Sequence, residues 1–191
     1  MSRHPFRGTA LLTNITALRV VLVPIIMALI VAGPDHRYAY VIAAALFVFA
    51  AFTDFVDGYL ARRWALTTTL GAFLDTTADK LLVSGVLLSL VSVGRMSVWI
   101  AVIIIGRELL ILGLRGVVAA AGTPFPPSIW GKLKANAQFV GITLAIIRYS
   151  HHAGTLYPDQ WVMLVVAAIT VASAAEYVVR FAPQLNGRSS G

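Results

Sequence analysis

The sequence predicts an all-α integral membrane protein, a bundle of six transmembrane helices. Of its 191 residues, 59% are hydrophobic and 12% are charged, and the mean hydropathy is +0.84. These values lie well outside the range of soluble domains. A spanning helix needs about 20 apolar residues, and six runs approach that length: 11–33, 38–61, 70–93, 96–120, 130–149 and 160–182. We therefore expect a single transmembrane domain over residues 1–182 and a polar C-terminal tail over 183–191.

The breaks between these runs carry residues that are typical of turns. They contain Gly33-Pro34-Asp35, the threonines 67–69, Val93-Gly94-Arg95, the proline-rich segment 122–127 and Tyr157-Pro158-Asp159. Glycine and proline interrupt helices, and threonine and aspartate favour loops and helix starts. Each break therefore predicts the end of one helix and the start of the next.

The positions of Lys and Arg predict the orientation, because short cytoplasmic loops are enriched in these residues. If the N-terminus is cytoplasmic, nine bases fall on or near that side: Arg3, Arg7, Arg62, Arg63, Arg115, Lys132, Lys134, Arg180 and Arg188. Three fall on the opposite side: Arg37, Arg95 and Arg148. We therefore expect both termini in the cytoplasm. The remaining bases, Arg19, Lys80 and Arg107, lie inside apolar runs and need local reasons. Arg19 could contact a lipid phosphate or satisfy helix ends, and Lys80 could soften the negative field beside Asp79.

Composition also excludes some classes of function. The chain has no cysteine, so it has no disulfide, thiolate metal site or thiol nucleophile. Its net charge of +7 is spread among apolar runs and is not interleaved with aromatic residues on a polar surface, so we expect no nucleic-acid partner. The apolar stretch near the N-terminus lacks a clear small-residue cleavage site, which favours a retained helix over a signal peptide.

Four of the eight acidic residues of the chain, Asp54, Asp57, Asp75 and Asp79, lie in or beside apolar runs. A charge at the membrane centre costs about 2.5–3.5 kcal/mol on insertion scales, so such a group needs a cation or a hydrated site. The members of each pair are three or four residues apart, so each pair shares one helix face. Two adjacent helices could then direct four carboxylates at one cavity near the cytoplasm. Oxygen ligands of this kind suit Mg²⁺ or Mn²⁺ together with substrate phosphates.

Small and basic residues accompany the acids. Gly58 and Gly71 permit a close approach by a ligand or a neighbouring backbone, and Ala61 keeps the same region narrow. Arg62 can offer a forked guanidinium to a phosphate. Each could also have a simpler role, in helix packing for the glycines and alanine and in membrane orientation for Arg62.

The arrangement of these residues resembles the CDP-alcohol phosphatidyltransferase family. The chain fits D-x-x-D-G-x-x-A-R, then eight residues, then G-x-x-x-D-x-x-x-D, at every fixed position: Asp54, Asp57, Gly58, Ala61, Arg62, Gly71, Asp75 and Asp79. The resemblance extends over about residues 16–180. It implies a membrane enzyme with six transmembrane helices, commonly a homodimer, which transfers a phosphatidyl group from a CDP-linked lipid to an alcohol and releases CMP.

The resemblance also implies roles for the matching residues. Asp54, Asp57, Asp75 and Asp79 would hold divalent metal, Mg²⁺ or Mn²⁺, as two ions. Asp79 would in addition act as the general base on the acceptor hydroxyl. The CDP group would be bound by Asp54, Gly58, Ala61, Arg62 and Gly71.

Intramembrane bases indicate the acceptor. Arg107 and Arg115 lie in the fourth apolar run, and Lys132 and Lys134 lie at the start of the fifth. We interpret them as a binding site for the phosphate of the acceptor. The alternatives are that Arg107 pairs with an aspartate or with Glu176, and that the lysines only orient the helix.

The patterns R-E-L-x-x-x-x-L-R and G-K-L-K-x-x-x-Q resemble the bacterial branch of the family that uses CDP-diacylglycerol and glycerol 3-phosphate to form phosphatidylglycerol phosphate. This resemblance implies a multi-pass protein of the bacterial cytoplasmic membrane, in contact with membrane lipids, with its active site toward the cytoplasm. Cardiolipin synthase, with phosphatidylglycerol as acceptor, and phosphatidylinositol phosphate synthase remain alternatives within the family.

Two other classes of function are compatible with intramembrane acids. Ion-coupled transporters use such acids, usually near the midplane between repeated halves, whereas this chain shows no internal repeat and places its acids toward one side. A structural or lipid-binding scaffold is the other alternative. Metal-dependent release of CMP from CDP-diacylglycerol separates the enzyme from both.

Overall fold

The computed structural model describes the backbone of residues 5–64, 69–120, 129–148 and 156–185. It describes the side chains of residues 16–36, 38–53, 56, 71, 73–120, 133–148 and 156–179. Six helices occupy these ranges: α1 Pro5–Ala32, α2 Arg37–Trp64, α3 Thr69–Ser92, α4 Val98–Ala120, α5 Ile129–Ile147 and α6 Pro158–Leu185. No β-strand occurs in the described backbone, and the all-α prediction with six helices is confirmed.

The described helices differ in the length of their apolar segments, and therefore in whether a segment is long enough to cross a membrane. The segment Pro158–Val179 of α6 has 22 residues and enough apolar character to span. At 1.5 Å per residue it is about 33 Å long, close to the thickness of the hydrocarbon core. The segments Thr16–Ala32, Tyr38–Thr53 and Leu133–Ile147 are apolar but shorter.

The helices form two compact units, Met1–Arg95 and Met96–Gly191. In the first unit, α1 packs against both α2 and α3. One face of α1 is buried, with Leu22, Val23, Ile26 and Ile30 at helical spacing. Because α1 packs against both α2 and α3, it is the central helix of this unit.

The contacts of α1 show that it runs parallel to α3. Arg19 meets Asp75, and further along both helices Gly85 lies against Val23 and Met27. A Cβ atom at Gly85 would lie 2.8 Å from Met27 Sδ, so this glycine allows close approach of the two helices. The helix pairing thereby brings Arg19 to the depth of the aspartates on α3.

Helix α3 ends in a Schellman motif at Gly94 (φ 70°). The amide of Arg95 donates to the carbonyl of Leu90 (2.8 Å), and the amide of Gly94 donates to that of Val91 (3.0 Å). This left-handed position favours glycine and satisfies the last carbonyls of the helix. The turn places the guanidinium of Arg95 3.4 Å from the centroid of the Tyr40 ring.

Gly33 lies against the Tyr40 ring, so that a Cβ atom at this position would overlap the ring. We expect Gly33→Ala to destabilise the protein by about 1–3 kcal/mol, as overpacked sites do, because Arg95 covers Tyr40. The unfolding midpoint in detergent measures the effect. Gly113→Ala is the matched control, since a Cβ atom there meets nothing within 4 Å. An equal midpoint for the two variants would contradict the prediction.

In the second unit, α6 packs against α4 and α5. Helices α5 and α6 are antiparallel, since Arg148 meets Asp159 at one end and Gly141 meets Met163 further in. Helices α4 and α6 are parallel, and Ile111, Leu114 and Val118 of α4 form a buried cluster with Tyr177 of α6. The second unit therefore places the middle of α4 beside the C-terminal half of α6.

An ion pair closes the loop between α5 and α6. Arg148, at φ 44°, donates from Nη2 to Asp159 Oδ2 (3.1 Å). Its guanidinium lies 4.7 Å from the centroid of the Tyr157 ring. The side chain of Asp159 is 2% exposed, so the carboxylate of this ion pair is buried. It is a second Arg–Asp pair, separate from that of the first unit.

Candidate active site

Asp75 and Asp79 lie one turn apart on α3, and both carboxylates are partly exposed. Ala78, between them, is fully buried. Thr77 Oγ1 donates to the carbonyl of Phe73 (2.8 Å), so its hydroxyl is bonded within the helix. Both acids are thus held on one helix and are partly exposed.

A buried arginine of α1 contacts the first of these acids. Arg19 Nη1 donates to Asp75 Oδ1 at 3.0 Å. The Arg19 side chain is 1% exposed, whereas that of Asp75 is 41% exposed. The carboxylate is therefore held from the protein side and open on another. The sequence does not predict this partner for Arg19, because the two residues are 56 positions apart.

Asp79 contacts the residue that follows it. Lys80 Nζ donates to Asp79 Oδ2 at 2.8 Å, and both side chains are about one-quarter exposed. Both acids of α3 thus have a cation beside them. Gly71 lies on the same helix one turn before Asp75 and is partly exposed.

The other signature residues belong to the C-terminal half of α2. Asp54, Asp57, Gly58, Ala61 and Arg62 all lie within this helix. Their side chains lie outside the described residues, so the predicted convergence of four carboxylates stays a prediction. Among the described side chains, no group of three or more His, Asp or Glu residues could hold a metal ion.

The donor chemistry of α3 fits a divalent cation. Asp75 and Asp79 offer carboxylate oxygens that are partly exposed and one turn apart, and Mg²⁺ and Mn²⁺ prefer oxygen ligands. Asp75 forms its ion pair with Arg19 through Oδ1, and Asp79 forms its ion pair with Lys80 through Oδ2. The residues that the sequence predicted as metal ligands therefore have suitable chemistry on α3.

A buried polar network occupies the second unit. Lys134 Nζ of α5 forms an ion pair with Glu108 Oε1 of α4, and Arg107 Nη1 lies 3.6 Å from the same oxygen. The side chains of Arg107, Glu108 and Lys134 are 10%, 6% and 4% exposed. We call these three residues the basic network. They bring together two of the predicted acceptor-binding bases.

Helix α6 supports the basic network through Arg107. Arg107 Nη2 donates to Ser173 Oγ at 2.7 Å, and its guanidinium lies 5.9 Å from the centroid of the Tyr177 ring. The alternative partners that the sequence suggests for Arg107 are an aspartate and Glu176, whereas the structure places Ser173 and Tyr177 beside it. Ser173 and Tyr177 are four residues apart on an apolar helix, so they share one face. This spacing is the feature of the sequence that could have indicated a polar contact there.

Two further polar side chains are buried near this level of the helices. Gln138 follows Lys134 by one turn on α5, and Thr170 precedes Ser173 by one turn on α6. They are 4% and 0% exposed. Gln138 Oε1 and Thr170 Oγ1 have no hydrogen-bond partner within the described part of the chain. Buried polar groups are nearly always bonded, so these two atoms have bonding capacity for a polar ligand.

The remaining predicted acceptor-binding residues are less defined. Arg115 lies two turns after Arg107 on α4 and is exposed. Lys132 lies in the first turn of α5, and its side chain is outside the described residues. Their predicted role in phosphate binding stays a prediction.

Residues 11–172 match the CDP-alcohol phosphatidyltransferase family, and the chain belongs to this family. It is therefore an enzyme of a membrane-bound family that is known to use divalent metals. The family resemblance and the enzyme class that the sequence predicted are confirmed.

This chain aligns with individual relatives over most of their length and most of its own. The chain is 39% identical over 179 residues to a protein of Mycobacterium tuberculosis H37Rv named "Probable phosphatidylglycerophosphate synthase", covering 92% of this chain and 84% of the relative. It is 36% identical to the CDP-diacylglycerol–glycerol-3-phosphate 3-phosphatidyltransferase of Bacillus subtilis 168, covering 86% and 91%. A Pseudomonas fluorescens protein with that same name is 34% identical, covering 90% and 89%.

Proposed function

We propose that this chain transfers the phosphatidyl group of CDP-diacylglycerol to glycerol 3-phosphate, releasing CMP and forming phosphatidylglycerol phosphate. The observation that carries the proposal is the 34–39% identity to three relatives named for this reaction or its product, over 86–92% of this chain. The complete signature from Asp54 to Asp79 supports the donor. The buried basic network supports a phosphorylated acceptor.

Asp54, Asp57, Asp75 and Asp79 would hold Mg²⁺ or Mn²⁺, as two ions. When bound, the metal would neutralise the diphosphate and stabilise the negative charge that develops on the departing CMP. The partly exposed carboxylates of Asp75 and Asp79 support this assignment. The CDP group would lie along Asp54, Gly58, Ala61, Arg62 and Gly71, where small residues permit close approach.

Asp79 is our candidate for the general base. Its Oδ2 atom contacts Lys80, and its other oxygen, Oδ1, would accept the proton of the acceptor hydroxyl. The acceptor oxygen would form a new bond to the lipid-linked phosphorus as the bond from that phosphorus to the oxygen of CMP breaks. In this direct route the electron pair of the broken bond leaves with CMP, and the proton resides on Asp79.

The basic network would bind the phosphate of the acceptor. Arg107 and Lys134 supply two cations to one buried carboxylate, that of Glu108. A guanidinium and an ammonium group are strong hydrogen-bond donors to phosphate oxygens, which supports a phosphorylated acceptor. Arg115 and Lys132 would add positive charge, and Gln138 and Thr170 would bond the hydroxyls of the acceptor.

We also propose a location in the membrane and an oligomeric state for the protein. The protein would cross the bacterial cytoplasmic membrane several times, with both termini and the active site toward the cytoplasm. The excess of Lys and Arg on that side supports this orientation. Membrane lipids would surround the helices, and the protein would act as a homodimer, as the family resemblance implies.

The experiment is an assay of CMP release by the purified protein with CDP-diacylglycerol and Mg²⁺. We expect release with glycerol 3-phosphate to exceed that with phosphatidylglycerol or inositol phosphate by about tenfold or more, the effect of one charge-assisted hydrogen bond. Omission of Mg²⁺ with EDTA present is the control. A preference for phosphatidylglycerol would instead identify a cardiolipin synthase, and a preference for inositol phosphate a phosphatidylinositol phosphate synthase. No release with any acceptor would contradict the enzyme assignment.

A further inference from the structure

Arg19 is the one charged residue of the sequence between positions 16 and 32. Its neighbours Leu18, Val20 and Val21 are exposed apolar residues, as expected of a face toward lipid. The Arg19 side chain points the other way and is 1% exposed. A guanidinium in this position is costly unless a buried or partly buried anion compensates it.

Asp75 supplies such an anion, at 3.0 Å from Arg19 Nη1. The two residues differ in exposure, 1% for Arg19 against 41% for Asp75. The fixed member of the pair is therefore the arginine, and the carboxylate has an open side from which a ligand can approach. The same carboxylate can meet a cation of the protein on one side and a cation from solution on the other.

We propose that Arg19 is a positioning residue that serves as the internal counter-cation of Asp75, holding this carboxylate in the absence of a divalent ion and competing with that ion for it. The proposal rests on the metal-ligand role of Asp75 in the proposed function. It explains how an acidic site within apolar helices can fold before metal arrives. It also predicts that Arg19 weakens metal binding, because its charge opposes that of the ion.

The test compares Arg19→Gln and Arg19→Lys with the unaltered protein, each purified in detergent. Unfolding midpoints are measured in EDTA and during titration with Mn²⁺, and free Mn²⁺ is followed by electron paramagnetic resonance. We expect Arg19→Gln to unfold at a lower temperature in EDTA and to bind Mn²⁺ about tenfold more tightly, as loss of one opposing charge implies. Arg19→Lys keeps the charge and should restore the Mn²⁺ affinity of the unaltered protein.

Arg148→Gln is the matched control, because it breaks an Arg–Asp pair of similar length, 3.1 Å, in the second unit. It should lower the midpoint in EDTA and leave Mn²⁺ affinity unchanged. Unchanged or weaker Mn²⁺ binding by Arg19→Gln would overturn the proposal. If Arg19→Gln does not fold, the double variant with Asp75→Asn should fold, since both charges of the pair are then removed. Failure of the double variant to fold would also overturn it.

The outcome is separable from that of the proposed function. CMP release by the unaltered protein tests the reaction, whereas the Mn²⁺ affinities of the Arg19 variants test the counter-cation. If the unaltered protein shows metal-dependent CMP release and Arg19→Gln has an unchanged Mn²⁺ affinity, only the proposed role of Arg19 is contradicted. If Arg19→Gln binds Mn²⁺ more tightly and the unaltered protein releases no CMP, only the proposed reaction is contradicted.

Discussion

Replacement of Asp79 by asparagine is expected to lower the turnover of CDP-diacylglycerol by about 10²–10⁴-fold, the usual contribution of a general base. The amide keeps the size of the side chain and loses the ability to accept a proton. Asp79 is partly exposed on α3, and its contact with Lys80 involves Oδ2. The measurement is the rate of CMP release at saturating glycerol 3-phosphate and Mn²⁺.

A control must separate loss of the base from loss of metal, because Asp79 is also a proposed metal ligand. Binding of CDP-diacylglycerol to Asp79→Asn is therefore measured at saturating Mn²⁺, where we expect it to be largely intact. Lys80→Gln is the matched variant, since it removes the contact and keeps the carboxylate. It should retain most of the turnover. Near-normal CMP release by Asp79→Asn would disprove the assignment of the base.

The helices were largely predictable because their boundaries have local causes. The third apolar run was predicted over 70–93 and the helix spans Thr69–Ser92, since Gly94 provides a left-handed position at its end. The first helix begins at Pro5, earlier than the predicted start at 11. Hydropathy detects only the apolar part of a helix, whereas the hydrogen-bonded backbone continues through the polar residues before it.

The partners of the intramembrane charges were less predictable. The spacing of Asp75 and Asp79 placed both on one helix face, and the chain order alone suggested Lys80 as a neighbour of Asp79. The contacts between Arg19 and Asp75 and between Arg107 and Ser173 join residues 56 and 66 positions apart. Such contacts depend on which helices pack together and at what depth, which hydropathy does not determine.

The basic network provides the second large expected effect. Arg107→Met should raise the KM for glycerol 3-phosphate by about 10–150-fold, which corresponds to the 1.5–3 kcal/mol of a hydrogen bond to a charged group. Binding of CDP-diacylglycerol should not change, because its proposed ligands lie on α2 and α3. The carboxylate of Glu108 keeps its ion pair with Lys134 in this variant, so the substitution does not leave a buried acid without a cation.

The controls distinguish phosphate binding from support of the fold. Ser173→Ala removes the hydroxyl that accepts from Arg107 Nη2 and keeps both cations, so its KM should change far less than that of Arg107→Met. Lys134→Met removes the other cation and should also raise the KM for glycerol 3-phosphate. A purely structural role would lower the unfolding midpoint of Arg107→Met and leave its KM unchanged. A rise in KM for glycerol 3-phosphate at constant affinity for CDP-diacylglycerol therefore identifies the basic network as the acceptor site, because loss of packing alone would not discriminate between the two substrates.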